Sequence, residues 1–114
     1  MSRFARHQSQ PEQQRWFFIY TITITNDGAK TVQLLARHWI IEDADGKVQE
    51  VEGDGVVGEQ PILAPGEQFE YSSGCPLETP FGTMRGTYRM LLEDGKTFDA
   101  TVAPFTLSEP YTVH

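Results

Sequence analysis

The chain has almost no cysteine, no long apolar run and few positive charges. Cys75 is the only cysteine among 114 residues, so an internal disulfide framework is excluded and a reducing compartment is expected. No apolar stretch approaches the length that spans a bilayer, and the first residues lack the apolar core of a signal peptide. We therefore expect a cytoplasmic protein that does not enter a membrane.

Positive charge is scarce relative to negative charge. Lysine and arginine number 9 against 16 aspartate and glutamate residues, which gives a net charge of −7. This balance repels phosphate backbones and anionic lipid, so neither nucleic acid nor membrane is expected as a partner. A chain of this length that is 39% hydrophobic can bury a core as one domain without disulfides or metal.

What the sequence does contain is a period-two alternation of apolar side chains, which predicts β-strands. The alternation is clearest over Trp16–Thr25, where one face carries Phe18, Tyr20, Ile22 and Ile24. The Asn26-Asp27-Gly28 segment that follows has the chemistry of a hairpin turn.

Residues 31–43 are ambiguous, because their apolar residues fit a helical face as well as a strand. The β-branched run beside Trp39 favours the strand. We predict strands at 31–34 and 37–43, a bulge at 35–36, and an Asp45-Gly46 hairpin turn returning over 47–51.

The second half of the chain repeats the pattern of short strands between turns. The predicted strands are 67–73, 83–92, 97–102 and 105–107, with loops at 53–60 and 74–82 and a hairpin turn at Asp94-Gly95. Phe98 and Tyr88 are expected to point inward. About seven strands without a helix predict an all-β, antiparallel β-sandwich over residues 1–114, in which 1–14 form a polar lead-in or a short edge strand.

Several phrases, in order along the chain, carry a resemblance to a known family. They are residues 20–24, 34–41, 50–61, 63–66, 69–71 and 79–88, followed by Asp94-Gly95, Phe98 and Phe105. Together they cover nearly all of residues 8–110, and in this order they resemble the bacterial ApaG family.

The resemblance implies a fibronectin type III-like or immunoglobulin-like sandwich. ApaG genes travel with those of a dinucleoside-tetraphosphate hydrolase and a ribosomal RNA methyltransferase, and the family is linked to cobalt and magnesium resistance. Similar domains in eukaryotic F-box proteins and a polymerase-associated protein serve protein–protein recognition. No established reaction comes with the family. Its members usually carry another strand ahead of residues 8–12, so that strand is expected to be short or absent here.

The sharpest local motif is G-x-G-x-x-G, formed by Gly53, Gly55 and Gly58. In dinucleotide-binding folds this spacing opens a helix that holds pyrophosphate, but Pro61 prevents a helix here. The structural alternative is a loop that needs positive φ or a close backbone approach. A backbone nest for pyrophosphate or a nucleotide polyphosphate stays open, and it would need Arg37 or Arg85 nearby.

Spacing along the chain predicts neither a metal site nor a cofactor. The histidines, His7, His38 and His114, have no second ligand at the spacing of zinc or iron sites. Cys75 has no histidine near it in sequence, so a nucleophilic dyad would require the fold to bring His38 close. We expect no enzymatic activity.

The segment Arg37-His38-Trp39 is the other candidate. Trp39 is expected between the sheets, which aims His38 outward and turns Arg37 inward toward Glu50 or Glu52. The Tyr88 hydroxyl is expected to tie down a loop backbone.

These observations favour a non-enzymatic binding module that engages a protein partner through a sheet face or edge. The candidate partner-binding residues are His38, Glu59 and Gln60. The alternatives are a pyrophosphate or polyphosphate sensor at the Gly53–Gly58 loop and a role in cobalt or magnesium resistance. A homodimer formed by edge pairing is also open.

Overall fold

A computed structural model describes residues 1–108, and this part of the chain contains eight β-strands and two short 3₁₀ turns. The strands are β1 Ser2–Phe4, β2 Trp16–Thr25, β3 Val32–Asp43, β4 Val48–Asp54, β5 Ile62–Leu63, β6 Gln68–Leu77, β7 Phe81–Leu92 and β8 Thr97–Ser108. The turns are Arg6–Gln8 and Pro11–Gln13. His114 lies outside the described residues, and within them no helix is long and apolar enough to cross a membrane.

The strands form two antiparallel sheets that pack face to face. One sheet has the order β1-β2-β6, and the other has the order β4-β3-β7-β8, with the short β5 pairing the start of β3. The predicted all-β, antiparallel β-sandwich is therefore confirmed. Its finer assignment as fibronectin type III-like or immunoglobulin-like stays a prediction.

Trp39 of β3 lies at the centre of the core and is 2% exposed. Its ring centroid is 5.8 Å from the rings of Tyr20 and Tyr88 and 6.0 Å from that of Phe105, in edge-on geometries that aromatic pairs favour. These four rings come from both sheets, so they fasten the two layers together as the sequence pattern requires.

The ambiguous segment is one long strand with a bulge. β3 runs over Val32–Asp43, and its register against β7 shifts between Leu34 and Ala36, as predicted. The bulge keeps both Leu34 and Trp39 in the core although their spacing is odd. The β3–β4 and β7–β8 hairpins also form at the predicted turns, where Gly46 and Gly95 have positive φ.

The predicted hairpin turn at residues 26–28 is wrong. β2 pairs with β6, so the segment after it crosses from one sheet to the other. Asn26 is buried, and its side-chain Nδ2 donates to the carbonyl oxygens of Lys30 and Leu63 at 2.8 and 2.9 Å. The Asn26 side chain therefore stabilises a crossover between the two sheets.

The predicted loop at 74–82 is also wrong at both ends, because β6 continues to Leu77 and β7 begins at Phe81. Gly74 pairs with Ile19, and Pro76 is tolerated because β6 is an edge strand that, among the described residues, pairs only with β2. β4 similarly extends into the predicted glycine-rich loop, since it ends at Asp54.

Two side-chain predictions need correction. Phe98 lies opposite the buried Met90 but stays 44% exposed, because it is at the start of the edge strand β8 beside its turn. The Tyr88 hydroxyl hydrogen-bonds the hydroxyl of Tyr71 in the other sheet, so it links two side chains across the core and does not tie down a loop backbone.

Candidate functional site

β4 is the most exposed long strand of the sandwich. Six of its seven residues are exposed, and Gly53 is half-buried. Val48 and Val51 keep 51% and 38% of their surface accessible, and no residue of β4 belongs to the core cluster. The opposing sheet has three strands, whereas the sheet that contains β4 has five. β4 therefore overhangs the sandwich and is open to solvent on both faces.

One edge of β4 is open as well, because within residues 1–108 β4 hydrogen-bonds only with β3. The Asp43 N–H donates to the Lys47 carbonyl at 2.9 Å, and the Gly55 N–H donates to the Leu35 carbonyl at 2.8 Å. In an antiparallel ladder alternate residues point their backbone groups to the same side. Odd-numbered residues of β4 therefore face β3, whereas Val48, Glu50 and Glu52 present N–H and C=O groups to solvent.

A groove of about 490 Å³ begins where β4 begins. Apolar walls come from the ends of both sheets. The polar rim comes from β4 and the turn before it, and also from Gln8, Arg15 and Glu78. The lining includes Trp16, Ile41, Pro76, Leu77, Lys47 and Gln49. The volume falls within the range of pockets that hold small ligands or side chains, so an apolar side chain placed next to β4 has a site to enter.

The glycine motif is explained by the packing of its own backbone. A Cβ on Gly55 would lie 2.3 Å from the Glu59 carbonyl oxygen, and φ of Gly55 is +63°. Val57 and Gly58 have φ of +43° and +81°, the signs of a type I′ turn. That turn is closed by reciprocal hydrogen bonds between the backbones of Val56 and Glu59 at 2.8 and 2.9 Å.

This geometry leaves few donors for a phosphate. The N–H groups of Gly55, Val56 and Glu59 are used inside the protein, so within the turn only Val57 and Gly58 have N–H groups without a partner in the part of the chain that the structure describes. The carboxylates of Glu52, Asp54 and Glu59 stand in the same segment. The turn is therefore closed and acidic, unlike the nests that bind anions.

Of the two arginines predicted to support this loop, Arg37 is at the loop and Arg85 is not. Arg37 Nη1 donates to the carbonyl oxygens of Asp54 and Gly55 at 3.0 and 2.9 Å. Its guanidinium lies over Gly53, where a Cβ would approach it to 3.0 Å. Arg85 instead lies on β7, 4.0 Å from a carboxylate oxygen of Glu42.

The predicted pairing of Arg37 with Glu50 or Glu52 is wrong, because those glutamates lie on the other face of the sheet. There they flank His38, whose Nε2 is 3.8 Å from Glu50 Oε2 and 3.5 Å from Glu52 Oε1. One ligand atom from each of the three residues falls within 4.8 Å of the others. Spacing along the chain did not reveal this cluster, but counting outward from the Asp45-Gly46 turn places Glu52 opposite His38.

The other predicted partner-binding residues support the bulge of β3. The Gln60 side chain donates to the Leu35 carbonyl at 2.9 Å, and the Gln33 side chain donates to the Gln60 carbonyl at 3.2 Å. Glu59 uses its backbone in the turn and exposes its side chain. Both residues are at the far end of the overhanging strand from the groove.

The profile of the ApaG domain family matches residues 6–92. The chain belongs to this family. Protein ApaG of Bordetella pertussis is 55% identical over 112 residues, which are 98% of this chain and 86% of that relative. Protein ApaG of Ectopseudomonas mendocina is 57% identical over 113 residues, which are 99% of this chain and 90% of that relative.

The ApaG fold is also known from crystal structures. That of a Bordetella pertussis protein named ApaA has a TM-score of 0.94 and 54% identity, covering 98% of this chain and 91% of that one. An Archaeoglobus fulgidus protein with 9% identity and a TM-score of 0.53 covers 98% of this chain and shares the fold alone.

The one thiol of this ApaG-family domain is not placed for nucleophilic chemistry. Cys75 is 2% exposed, and burial raises the pKa of its thiol to about 11, so the thiol stays protonated at neutral pH. Cys75 points into the core from β6, whereas His38 lies on the outer face of the other sheet. The fold therefore does not bring the two together as a dyad.

Proposed function

We propose that this domain is a non-enzymatic binding module that accepts an extended segment of a partner protein as an added strand along the open edge of β4. The observation that carries the proposal is the exposure of β4 on both faces and on one edge. Main-chain hydrogen bonds supply affinity in such strand addition, and alternate side chains supply specificity. The free, buried Cys75 fits a cytoplasmic setting for this role.

The chemistry of β4 specifies the partner segment. β4 carries Glu50, Glu52 and Asp54 and no positive charge. The first two point to the outer face, so lysine or arginine on that face of the added strand would meet opposite charge. The inner face adjoins the groove beside Trp16 and Leu77, so an apolar side chain suits that face. The partner segment therefore alternates basic and apolar residues.

The other open edges suit this role less well. In β8 a bulge near Pro104 separates the residues that pair with Met84 and Gly86. In addition, the Thr106 carbonyl already accepts a hydrogen bond from the Ser2 hydroxyl of β1. β6 carries Pro76, which cannot donate to an added strand. We do not extend the proposal to pyrophosphate, because the turn at residues 55–59 uses most of its donors internally.

The test measures binding of a synthetic peptide as long as β4, seven residues, in which lysine alternates with leucine or valine. The wild-type chain and two full-length variants, Glu50→Gln and Glu50→Pro, are compared by calorimetry. Both substitutions remove the same charge, whereas only proline also removes the outward N–H and obstructs the edge. Loss of the exposed ion pair between Glu50 and a peptide lysine should weaken the binding free energy by up to about 1 kcal/mol, or roughly fivefold in Kd. Proline should cost about tenfold more than glutamine.

A second control changes the peptide. N-methylation of alternate residues removes the N–H groups that would pair with β4 but keeps every side-chain charge. We expect this peptide to bind the wild-type chain at least as weakly as the unmethylated peptide binds Glu50→Pro. Equal binding by Glu50→Gln and Glu50→Pro, or by both peptides, would show that charge alone attracts the peptide and would overturn the proposal of strand addition.

A further inference from the structure

Beyond the proposed protein-binding edge, we propose that His38, Glu50 and Glu52 form a binding site for a divalent first-row transition-metal ion such as Zn²⁺. The three side chains come from two paired strands. In the β3–β4 register His38 lies directly opposite Glu52, and Glu50 lies two residues before Glu52 on the same face of β4. A rigid hairpin therefore holds an imidazole and two carboxylates on one side of the sheet.

The distances suit a shared ion. Zn²⁺ binds imidazole nitrogen and carboxylate oxygen at about 2.0–2.2 Å, so neighbouring ligands of a tetrahedral ion lie roughly 3.3–3.5 Å apart. The Nε2 atom of His38 is 3.5 Å from Glu52 and 3.8 Å from Glu50. The two glutamates are 73% and 60% exposed, so their side chains are free to close the small remaining difference.

An unpartnered nitrogen is the second observation that points to a ligand. His38 Nε2 is covered from solvent and has no hydrogen-bond partner within the described part of the chain, although both carboxylates face it. Covered polar atoms are normally satisfied. A metal ion between the imidazole and the carboxylates would satisfy Nε2 and neutralise the two negative charges.

The neighbouring cations on this face do not compete for the glutamates. Arg85 pairs with Glu42 at 4.0 Å, and Arg89 pairs with Asp99 at 3.5 Å. His38 and Glu52 also line a polar depression of about 400 Å³ that is open to water. An ion with three protein ligands there would complete its coordination with water.

The mixed ligand set selects among metals. Imidazole suits zinc and its first-row neighbours, whereas Mg²⁺ prefers a shell of oxygen ligands. We therefore expect Zn²⁺ to bind more tightly than Mg²⁺ by well over tenfold. Two carboxylates acting alone would produce a smaller preference for Zn²⁺.

The test titrates Zn²⁺ into the full chain by calorimetry, with His38→Ala and Glu52→Gln as site variants. His7→Ala and Glu42→Gln are matched controls, since His7 is an exposed histidine elsewhere and Glu42 is a glutamate on the same sheet face. We expect one ion per wild-type chain and at least about a tenfold loss of affinity in each site variant, because even changes outside the ligand shell cost that much. The controls should bind as wild type does.

Thermal unfolding of each variant without metal checks that the fold is intact, which we expect because these side chains are outside the core. The imidazole resonances of His38, followed by NMR during the titration, report the ligand directly. Wild-type affinity in His38→Ala, a His38 resonance that does not respond to Zn²⁺, or equal affinity for Zn²⁺ and Mg²⁺ would each overturn the proposal.

Discussion

At the scale of single residues, Asn26 fastens the crossover between the sheets. Its Nδ2 donates to the carbonyl oxygens of Lys30 and Leu63, and its Oδ1 accepts from the Gly28 N–H at 3.0 Å. The side chain is almost fully buried, so an apolar replacement would leave carbonyl groups without a donor. Sequence chemistry identified a turn here, but only the tertiary structure shows what the turn connects.

We predict that Asn26→Ala lowers the free energy of unfolding by about 1–3 kcal/mol, the usual cost of leaving a buried polar group unpaired. Chemical denaturation followed by tryptophan fluorescence measures the change. Asp27→Ala is the matched control, since Asp27 is exposed, and should change stability by less than about 0.5 kcal/mol. Equal effects of the two substitutions would contradict this role of Asn26.

The Tyr71–Tyr88 pair is the second feature at this scale. Burial raises the pKa of Tyr88 to about 12, although its hydrogen bond with Tyr71 opposes the shift. Burial together with that hydrogen bond raises the pKa of Tyr71 further above the ordinary value. A tyrosine in the unfolded chain titrates near 10. The folded protein therefore holds these phenolic protons more tightly than the unfolded chain does.

This difference sets the direction of the pH dependence. The stabilisation is fully present below pH 10 and is lost as the pH rises from 10 toward 12, because the unfolded chain releases the protons first. We predict a falling free energy of unfolding over that range. The double variant Tyr71→Phe/Tyr88→Phe should show a shallower fall, measured by urea denaturation at stepped pH. An unchanged slope would contradict the assignment to this pair.

At the scale of elements, the orientation of the β4 backbone decides at which positions the strand tolerates a substitution by proline. The N–H of Glu50 points to the open edge, whereas the N–H of Val51 points to β3 opposite Trp39. We predict that Glu50→Pro costs little stability and that Val51→Pro costs about 1–3 kcal/mol more, because it breaks a ladder hydrogen bond. Denaturation of both variants tests this, and the reverse order would mean that the edge assignment is wrong.

The strands also show where sequence reasoning succeeds and where it fails. The bulge in β3 was predictable, because Leu34 and Trp39 both require burial at an odd spacing. The continuation of β6 through Gly74 and Pro76 was not predictable. Glycine and proline indicate a loop locally, but an edge strand tolerates proline, and the Phe17 ring covers Gly74 so closely that a Cβ would lie 2.2 Å from it.

The candidate site was even less accessible to sequence reasoning. His38 was identified as outward-facing, but its neighbours Glu50 and Glu52 depend on the register of the β3–β4 hairpin. The exposure of β4 depends on the number of strands in the opposing sheet, a property of the topology. No local pattern in Val48–Asp54 distinguishes an overhanging strand from a covered one.

At the scale of the whole molecule, charge favours a foreign partner over a second copy. The chain has a net charge of −7, and β4 carries three acidic residues. Pairing two copies edge to edge would bring Glu50 and Glu52 close to the same residues of the other copy, which like-charge repulsion opposes. A basic segment is attracted by the acidic residues of β4, whereas a second copy is repelled by them. Binding of the basic segment should therefore weaken as the salt concentration is raised.

Amide hydrogen exchange by NMR, with and without the alternating lysine peptide, shows whether the peptide pairs with the open edge of β4. In the free chain the N–H groups of Glu50 and Glu52 should exchange quickly and those of Gln49 and Val51 slowly, because only the latter pair with β3. We predict that the peptide slows exchange at Glu50 and Glu52 by about tenfold or more. Continued fast exchange there, or new protection along β6 or β8 instead, would contradict it.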